Sequence, residues 1–109
     1  MQVARWALDK KALDVVVLDV RGLSSYADYI VLATAESEPQ LNAIADRAEE
    51  GMKERGERPL GIEGAGAGRW LLLDFGDVVL HAFYQDAREF YDLEGLWADA
   101  PRVPVVDKP

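Results

Sequence analysis

The residues of this chain that could carry out chemistry are its single histidine, His81, and a scattered set of aspartates. Asp74 and Asp77 are close to His81 in sequence, but a catalytic triad also needs a serine, and a metal site needs further ligands. Asp19 and Asp28 could join them in a two-metal site, although the chain contains no Asp-x-Asp pair. This pattern favours a histidine that is hydrogen-bonded within a sheet, or that lies on an interaction face, over a catalytic one.

A glycine-rich segment at 64–68 (GAGAG) is a candidate phosphate-binding loop. Such a loop normally lies between a strand and a helix, so that the N-terminus of the helix faces the anion. Here the residues that follow are typical of a strand, and there is no Gly-Lys-Ser/Thr motif. The segment is therefore interpreted as a flexible connector, with a nucleotide-binding loop as the less favoured alternative.

Aromatic and charged residues near the C-terminal end of the chain form the most informative group. Phe90, Leu93 and Trp97 have a spacing that predicts a core-facing stripe on one helix. Tyr91 and Glu94 then point elsewhere. Exposed aromatic and leucine side chains ringed by charges are typical of protein interfaces. The spacing alone leaves open whether these aromatic residues belong to an interface or to the core.

The composition of the chain limits the kinds of partner that it can bind. Half of its 109 residues are hydrophobic and 29% are charged, and no run approaches the roughly 18 apolar residues of a membrane span. The absence of cysteine excludes disulfides and cysteine metal sites, and it fits a cytoplasmic protein. A net charge of −8 disfavours direct nucleic-acid recognition and favours a basic protein partner.

The elements that position these residues are predicted to form one α/β domain over residues 1–100, followed by an extended or disordered tail over 101–109. Gly76-Asp77 lies between two apolar runs and predicts a two-residue hairpin turn. The predicted architecture is a mixed five-stranded sheet flanked by helices. Its strands are 13–20, 26–34, 60–63, 70–75 and 78–84, and its helices are 2–12, 38–56 and 86–97.

The ends of the two longer helices carry their own signals. Ser37 and Gln40 form an S-x-x-Q capping box at the start of the middle helix, and Gly56 is a suitable stop. The last helix has Gly95 as its candidate break. Between these ends, an apolar stripe on the middle helix predicts core residues, namely Leu41, Ile44, Ala45, Ala48 and Met52.

From about residue 4 to residue 101 the chain resembles the ribosomal silencing factor family, also called Iojap-like or RsfS. No single motif carries the resemblance, which depends on many short matches in the same order. They are, in chain order, 8–12 (LDKKA), 17–20 (VLDV), 27–29 (ADY), 44–46 (IAD), 63–64 (EG), Trp70, 73–79 (LDFGDVV), His81, Arg88, 90–91 (FY), 93–94 (LE) and 96–97 (LW).

The resemblance implies a fold related in shape to nucleotidyltransferases but without their catalytic carboxylates. It implies a non-enzymatic cytoplasmic factor, often a homodimer and without a cofactor. Such a factor binds the large ribosomal subunit through ribosomal protein L-fourteen and sterically blocks joining of the small subunit, which lowers translation. The positions that match the partner-facing pattern of the family are Glu63, Gly64, Trp70, Asp74, His81, Arg88, Tyr91, Leu93, Glu94 and Trp97.

Two main classes of function stay open at this point, and a dimeric scaffold with no ribosomal role is a third, weaker option. The first is the silencing factor, which needs an acidic and aromatic surface but no catalytic group. The alternative is a small metal-dependent nucleotidyltransferase-like enzyme that uses Asp19, Asp28 or Asp74 together with the glycine-rich segment. Tight binding of a magnesium nucleotide, lost on Asp74→Ala, would support the enzyme.

Overall fold

The longest apolar runs of the chain form the interior strands of one sheet, as their β-branched and leucine-rich composition favours. The computed structural model describes residues 2–25, 27–59, 61–65 and 69–105. Its strands are β1 (Leu13–Asp19), β2 (Tyr29–Ala35), β3 (Gly61–Ala65), β4 (Trp70–Asp74), β5 (Val78–Tyr84) and β6 (Arg102–Val103). Its helices are α1 (Gln2–Asp9), α2 (Glu38–Glu54), α3 (Gln85–Tyr91) and α4 (Leu93–Leu96). Tyr26 and Leu60, where two strands were predicted to begin, lie outside the described residues.

The strands form a mixed sheet in the order β3-β4-β5-β2-β1-β6. The central pair β2 and β5 is parallel, and the other neighbours are antiparallel. This confirms the predicted α/β domain with a mixed sheet flanked by helices. The predicted number of five strands is wrong, because the described sheet has six. Val103 and Arg102, in the segment predicted to be a tail, pair with Val17 and Leu18 of β1. Two residues are too few to show a strand pattern in sequence.

Helices α1 and α2 cover one face of the sheet. The apolar stripe predicted for α2 is buried there, and it packs with Val3 and Trp6 of α1 against inward-facing residues of the strands. Trp6 lies directly on Gly51, where a Cβ atom would be only 2.4 Å from the indole. The absence of a side chain at Gly51 therefore lets the two helices approach each other at this point.

The start of α2 is fixed to the end of α1 by one side chain. The hydroxyl of Ser37 accepts a hydrogen bond from the backbone N–H of Gln40 at 3.2 Å, as predicted for the cap. The side-chain oxygen of Gln40 accepts from the N–H of Glu36 at 2.7 Å, one residue before the cap. Its amide nitrogen donates to the carbonyls of Lys10 and Lys11 at 3.1 and 2.9 Å. Gln40 thus both caps α2 and joins the two helices.

The opposite face of the sheet is covered by α3, α4 and the segment after them. Ala87, Leu93, Trp97 and Ala100 pack there against a second apolar cluster that includes Phe83. These short helices do not cover the whole face. Trp70 and Leu72 of β4 are only half-buried, and Glu63 of β3 is exposed. The candidate site lies at that incomplete edge.

The predicted single last helix is interrupted at Asp92 rather than at Gly95. Asp92 has a left-handed backbone (φ 45°), which ends α3, and its carboxylate accepts from the N–H of Gly95 at 3.1 Å, which caps α4. Because of this interruption, the predicted core-facing stripe is wrong for Phe90, whose side chain is 81% exposed. Leu93 and Trp97 do pack against the core.

Candidate functional site

A hydrogen-bonded pair of aromatic side chains lies at the centre of the candidate site. Leu72 of β4 lies opposite His81 of β5, and Trp70 lies opposite Phe83, so Trp70 and His81 are diagonal neighbours on one face. The indole Nε1–H of Trp70 donates to Nδ1 of His81 at 3.0 Å. The two ring centroids are 5.5 Å apart. Neighbouring strands therefore hold both side chains in one fixed arrangement.

His81 is neutral at physiological pH. Its side chain is 8% exposed, and burial lowers its pKa from 6.5 to about 4. A neutral imidazole has one N–H group, and Nδ1 accepts from Trp70, so the proton is on Nε2. The position of His81 on the face opposite Leu80 and Ala82 confirms the strand alternation predicted from sequence.

An exposed aromatic edge continues from Trp70 onto α3. The Tyr91 ring packs on Trp70 with a centroid separation of 4.5 Å, and Phe90 meets Tyr91 edge-on at 5.1 Å. Tyr91 is 41% exposed, Phe90 is more exposed still, and Leu96 on α4 is 72% exposed. We call Trp70, Tyr91 and Phe90 together the aromatic edge.

A shallow depression of about 380 Å³ adjoins the aromatic edge. It is lined by Glu63 and Gly64 of β3 and by Trp70 and Leu72 of β4. Glu63 is exposed and lies opposite Leu72 in the strand pairing, so an acidic group borders an apolar floor. Such a depression suits a partner side chain with an apolar stem and a positive end.

Arg88 and Glu94 occupy a different position, beneath α3 and α4. The guanidinium of Arg88 is buried and donates to the carbonyl of Asp14 at 2.6 Å and to the hydroxyl of Thr34 at 2.7 Å. It also donates to Glu94 at 2.9 Å, and Arg102 reaches the same carboxylate at 3.2 Å. The hydrogen bond from Arg88 is the main reason that the pKa of Glu94 lies below its ordinary value. This network joins α3 and α4 to β1, β2 and β6.

The remaining residues predicted for the site do not gather at the depression. Asp74 accepts a hydrogen bond from the N–H of Gly76 at 2.8 Å and so stabilises the hairpin turn, where Gly76 has a φ of 87°. Leu93 and Trp97 are half-buried and pack against the second apolar cluster. The structure thus brings together Glu63, Gly64, Trp70, His81 and Tyr91 at one surface, and places the others below or away from it.

Sequence reasoning missed Phe90 and Leu72 as surface residues of the site. Phe90 was assigned to the core because its spacing fitted a continuous helix. Leu72 lies in an apolar run of the predicted hairpin, and nothing in that run shows which side chains the helices leave accessible. The aspartate at position 92, a residue type that tolerates a left-handed backbone, was the signal that could have shown the helix break.

Among the described residues, the aspartates considered for metal chemistry do not form a group that could hold a metal ion. Asp19 is bound by its neighbour Arg21, whose hydrogen bonds lower the carboxyl pKa, and Asp74 is used in the hairpin turn. Within the described ranges, no group of three or more histidine, aspartate or glutamate side chains is placed to hold a metal ion. Positions 66–68 of the glycine-rich segment lie outside those ranges. In the same ranges, no helix is long and apolar enough to cross a membrane.

Comparison with known proteins gives a consistent result. The family described as "Ribosomal silencing factor during starvation" matches residues 1–109 of the chain. The "Ribosomal silencing factor RsfS" of Halalkalibacterium halodurans is 44% identical over 95 residues, or 87% of this chain and 81% of that protein. A crystal structure from Bacillus halodurans is 39% identical, with a TM-score of 0.82 and 95% of both chains covered. The mouse protein "Mitochondrial assembly of ribosomal large subunit protein 1" is 34% identical over 81% of this chain, which spans 40% of its length.

Proposed function

The chain belongs to the ribosomal silencing factor family, and from this membership we propose that it binds the large ribosomal subunit through ribosomal protein L-fourteen. Bound there, it occupies the surface that the small subunit needs and prevents the two subunits from joining. Translation falls as a result. The mechanism is steric, and no catalytic residue, metal or cofactor takes part in it.

The observation that carries this proposal is the aromatic edge beside an acidic depression. Phe90 is 81% exposed, and Tyr91 and Trp70 extend the same apolar surface to Glu63. Aromatic side chains that are free to be buried on binding supply most of the energy of protein interfaces. The net charge of −8 suits a basic partner such as a ribosomal protein.

The residues predicted for partner binding divide into two roles. We propose that Glu63, Gly64, Trp70 and Tyr91 contact the partner, because they border the depression or the aromatic edge. The others support that surface from within. In this role Arg88 and Glu94 fix α3 and α4, Leu93 and Trp97 pack these helices on the sheet, Asp74 shapes the hairpin, and His81 holds Trp70.

Co-sedimentation with separated ribosomal subunits tests the proposal. We expect the protein to pellet with the large subunit and not with the small one, and to prevent formation of the joined particle when it is added first. Added to particles that are already joined, it should have a weaker effect, because the surface is covered. Failure to pellet with either subunit at micromolar protein and low salt would contradict the proposal.

The enzymatic alternative has its own measurement. Isothermal calorimetry with magnesium and each nucleoside triphosphate should show no heat of binding if the protein acts by occupying space. A saturable heat that disappears in Asp74→Ala would support the nucleotidyltransferase-like enzyme instead.

Two further properties implied by the family resemblance stay predictions. A homodimer would give twice the chain mass of 12.1 kDa in light scattering coupled to size-exclusion chromatography. A cytoplasmic location would place the protein in the soluble fraction of a cell lysate, together with ribosomes.

A further inference from the structure

The indole N–H of Trp70 is already bonded inside the protein. It donates to Nδ1 of His81 at 3.0 Å, while the rest of the half-buried ring borders the depression and packs on Tyr91. An indole nitrogen has a single N–H and cannot accept. What Trp70 offers to a partner is therefore the carbon surface of its ring.

His81 is poorly placed to make contacts of its own. The residue is only 8% exposed, and its ring packs beside those of Trp70 and Phe83, with centroid separations of 5.5 and 6.5 Å. A buried imidazole needs a hydrogen-bond partner, and Trp70 supplies one. His81 thus satisfies the indole N–H of Trp70, Trp70 satisfies Nδ1 of His81, and the pair crosses from β4 to β5.

We propose that His81 is a positioning residue of the partner-binding surface. It fixes the indole of Trp70 against Tyr91, so that the partner meets ring carbon rather than an N–H donor. The chemistry that fits this surface is an apolar or cationic side chain, which can pack on an aromatic ring without a hydrogen bond to it. The inference rests on the proposed function and adds to it the residue that orients Trp70.

A matched pair of variants isolates the hydrogen bond. Asparagine places its side-chain oxygen the same number of bonds from Cα as Nδ1 of histidine, and leucine has the same branched shape without an acceptor. His81→Asn should therefore keep an acceptor for Trp70, and His81→Leu should remove it. Circular dichroism and thermal unfolding show whether both variants are folded.

The first readout is nuclear magnetic resonance of the indole N–H groups in isotope-labelled protein. The chain has three tryptophans, so three such signals are expected, and Trp70→Phe identifies the one from Trp70. In His81→Leu this signal should shift, and its exchange with solvent should become faster. In His81→Asn it should return towards its wild-type position. An unchanged Trp70 signal in folded His81→Leu would overturn the proposal.

The second readout is affinity for the large subunit, measured in a double-mutant cycle. Loss of one neutral hydrogen bond weakens binding by roughly two-fold to twelve-fold, and we expect a value in this range for His81→Leu. In a Trp70→Phe background, where no indole N–H exists, the same change should cost less than about two-fold. An equal cost in both backgrounds would mean that His81 acts without Trp70 and would overturn the proposal.

The two readouts separate failure of this inference from failure of the proposed function. Wild-type protein that does not bind the large subunit would contradict the function, whereas the indole signals would still show whether His81 fixes Trp70. Wild-type binding together with additive effects in the cycle would support the function and reject the positioning role.

Discussion

At the scale of single residues, Trp70 is the side chain that borders both the depression and the aromatic edge. We predict that Trp70→Ala weakens binding to the large subunit by about 2 kcal/mol or more, as expected for a central aromatic anchor. Leu23→Ala is the matched control. Leu23 is also an exposed apolar residue, at 49%, but it lies in the β1–β2 connection, at the end of the sheet opposite α3.

Quantitative co-sedimentation at several protein concentrations measures both affinities, and circular dichroism confirms the fold. Wild-type affinity in folded Trp70→Ala would remove Trp70 from the binding surface. A similar loss in Leu23→Ala would mean that binding depends on general apolar exposure instead.

His81 also gives the protein a defined dependence of stability on pH. In the fold its pKa is about 4 because of burial, and in the unfolded chain it returns to 6.5. Between these values the unfolded state binds the extra proton. The stabilisation that comes from neutral His81 is therefore fully present above pH 6.5 and is lost as the pH falls towards 4. From pH 7 to pH 5 we expect a loss of about 2 kcal/mol in the free energy of unfolding.

Urea unfolding at both pH values measures this loss. His81 is the only histidine, so His81→Leu should show a much smaller change over the same interval. An equal change in the variant would assign the pH dependence to carboxylates and would argue against a buried neutral imidazole.

Some of the site residues could be predicted from the sequence, and others could not. Resemblance to the family selected Trp70 and Tyr91, which the fold places in contact. It could not show that Arg88 turns inward, because its burial depends on the carbonyl of Asp14 and the hydroxyl of Thr34, which come from distant parts of the chain. Pairings of this kind are set by tertiary packing and leave no local pattern.

At the scale of elements, the contact between α1 and α2 depends on Gly51. Replacing glycine by alanine inside a helix normally stabilises it by up to about 1 kcal/mol. Here the added Cβ would be 2.4 Å from the buried indole of Trp6, so the helices must move apart. Overpacking of a core costs about 1–3 kcal/mol, and we predict that Gly51→Ala is destabilising by about 1 kcal/mol or more.

Chemical denaturation measures this change. Gly22→Ala is the control, because nothing lies within 4 Å of a Cβ atom at that position. We expect the control to change stability by less than about 0.5 kcal/mol. A stabilised Gly51→Ala protein would show that the two helices can separate at little cost.

Arg88 and Arg102 allow a second comparison between elements, since both bind the carboxylate of Glu94. Arg88 is 6% exposed and also donates to Asp14 and Thr34, whereas Arg102 is 64% exposed. Arg88→Met leaves these buried acceptors without a donor, and we predict a loss of about 3 kcal/mol in stability. Arg102→Met removes a solvent-screened pair and should cost less than about 1 kcal/mol.

Thermal and urea unfolding measure both variants. Equal losses would mean that the network contributes only through Glu94. Partner binding should weaken in Arg88→Met even where the protein stays folded, because α3 carries Tyr91 and loses its attachment to β1 and β2.

The elements themselves were largely predictable, and their exceptions have local causes. The stripe on α2, its cap at Ser37 and the turn at Gly76 are each determined by neighbours in sequence, and all three are confirmed. The sixth strand and the break at Asp92 were not predicted. The sixth strand depends on pairing across the sheet with Val17. The helix break depends on a left-handed backbone, which aspartate tolerates but does not require.

At the scale of the whole molecule, the net charge of −8 should act on the rate of encounter with a basic ribosomal protein at the surface of the large subunit. Opposite charges speed association, and salt screens this effect within about 10 Å at 0.1 M. We predict that the association rate constant falls as salt rises from about 50 to about 200 mM, with little change in the dissociation rate. Stopped-flow or surface-based kinetics with large subunits measures both rates.

Two variants with the same change in net charge show whether this attraction is spread over the molecule or directed to the depression. Glu63 borders the depression, whereas Glu50 is exposed on α2, which covers the opposite face of the sheet. If the partner brings basic side chains to the depression, Glu63→Gln slows association and reduces its salt dependence more than Glu50→Gln does. Equal effects would indicate steering by total charge alone, and the depression would then lose its role as the place where a positive side chain binds.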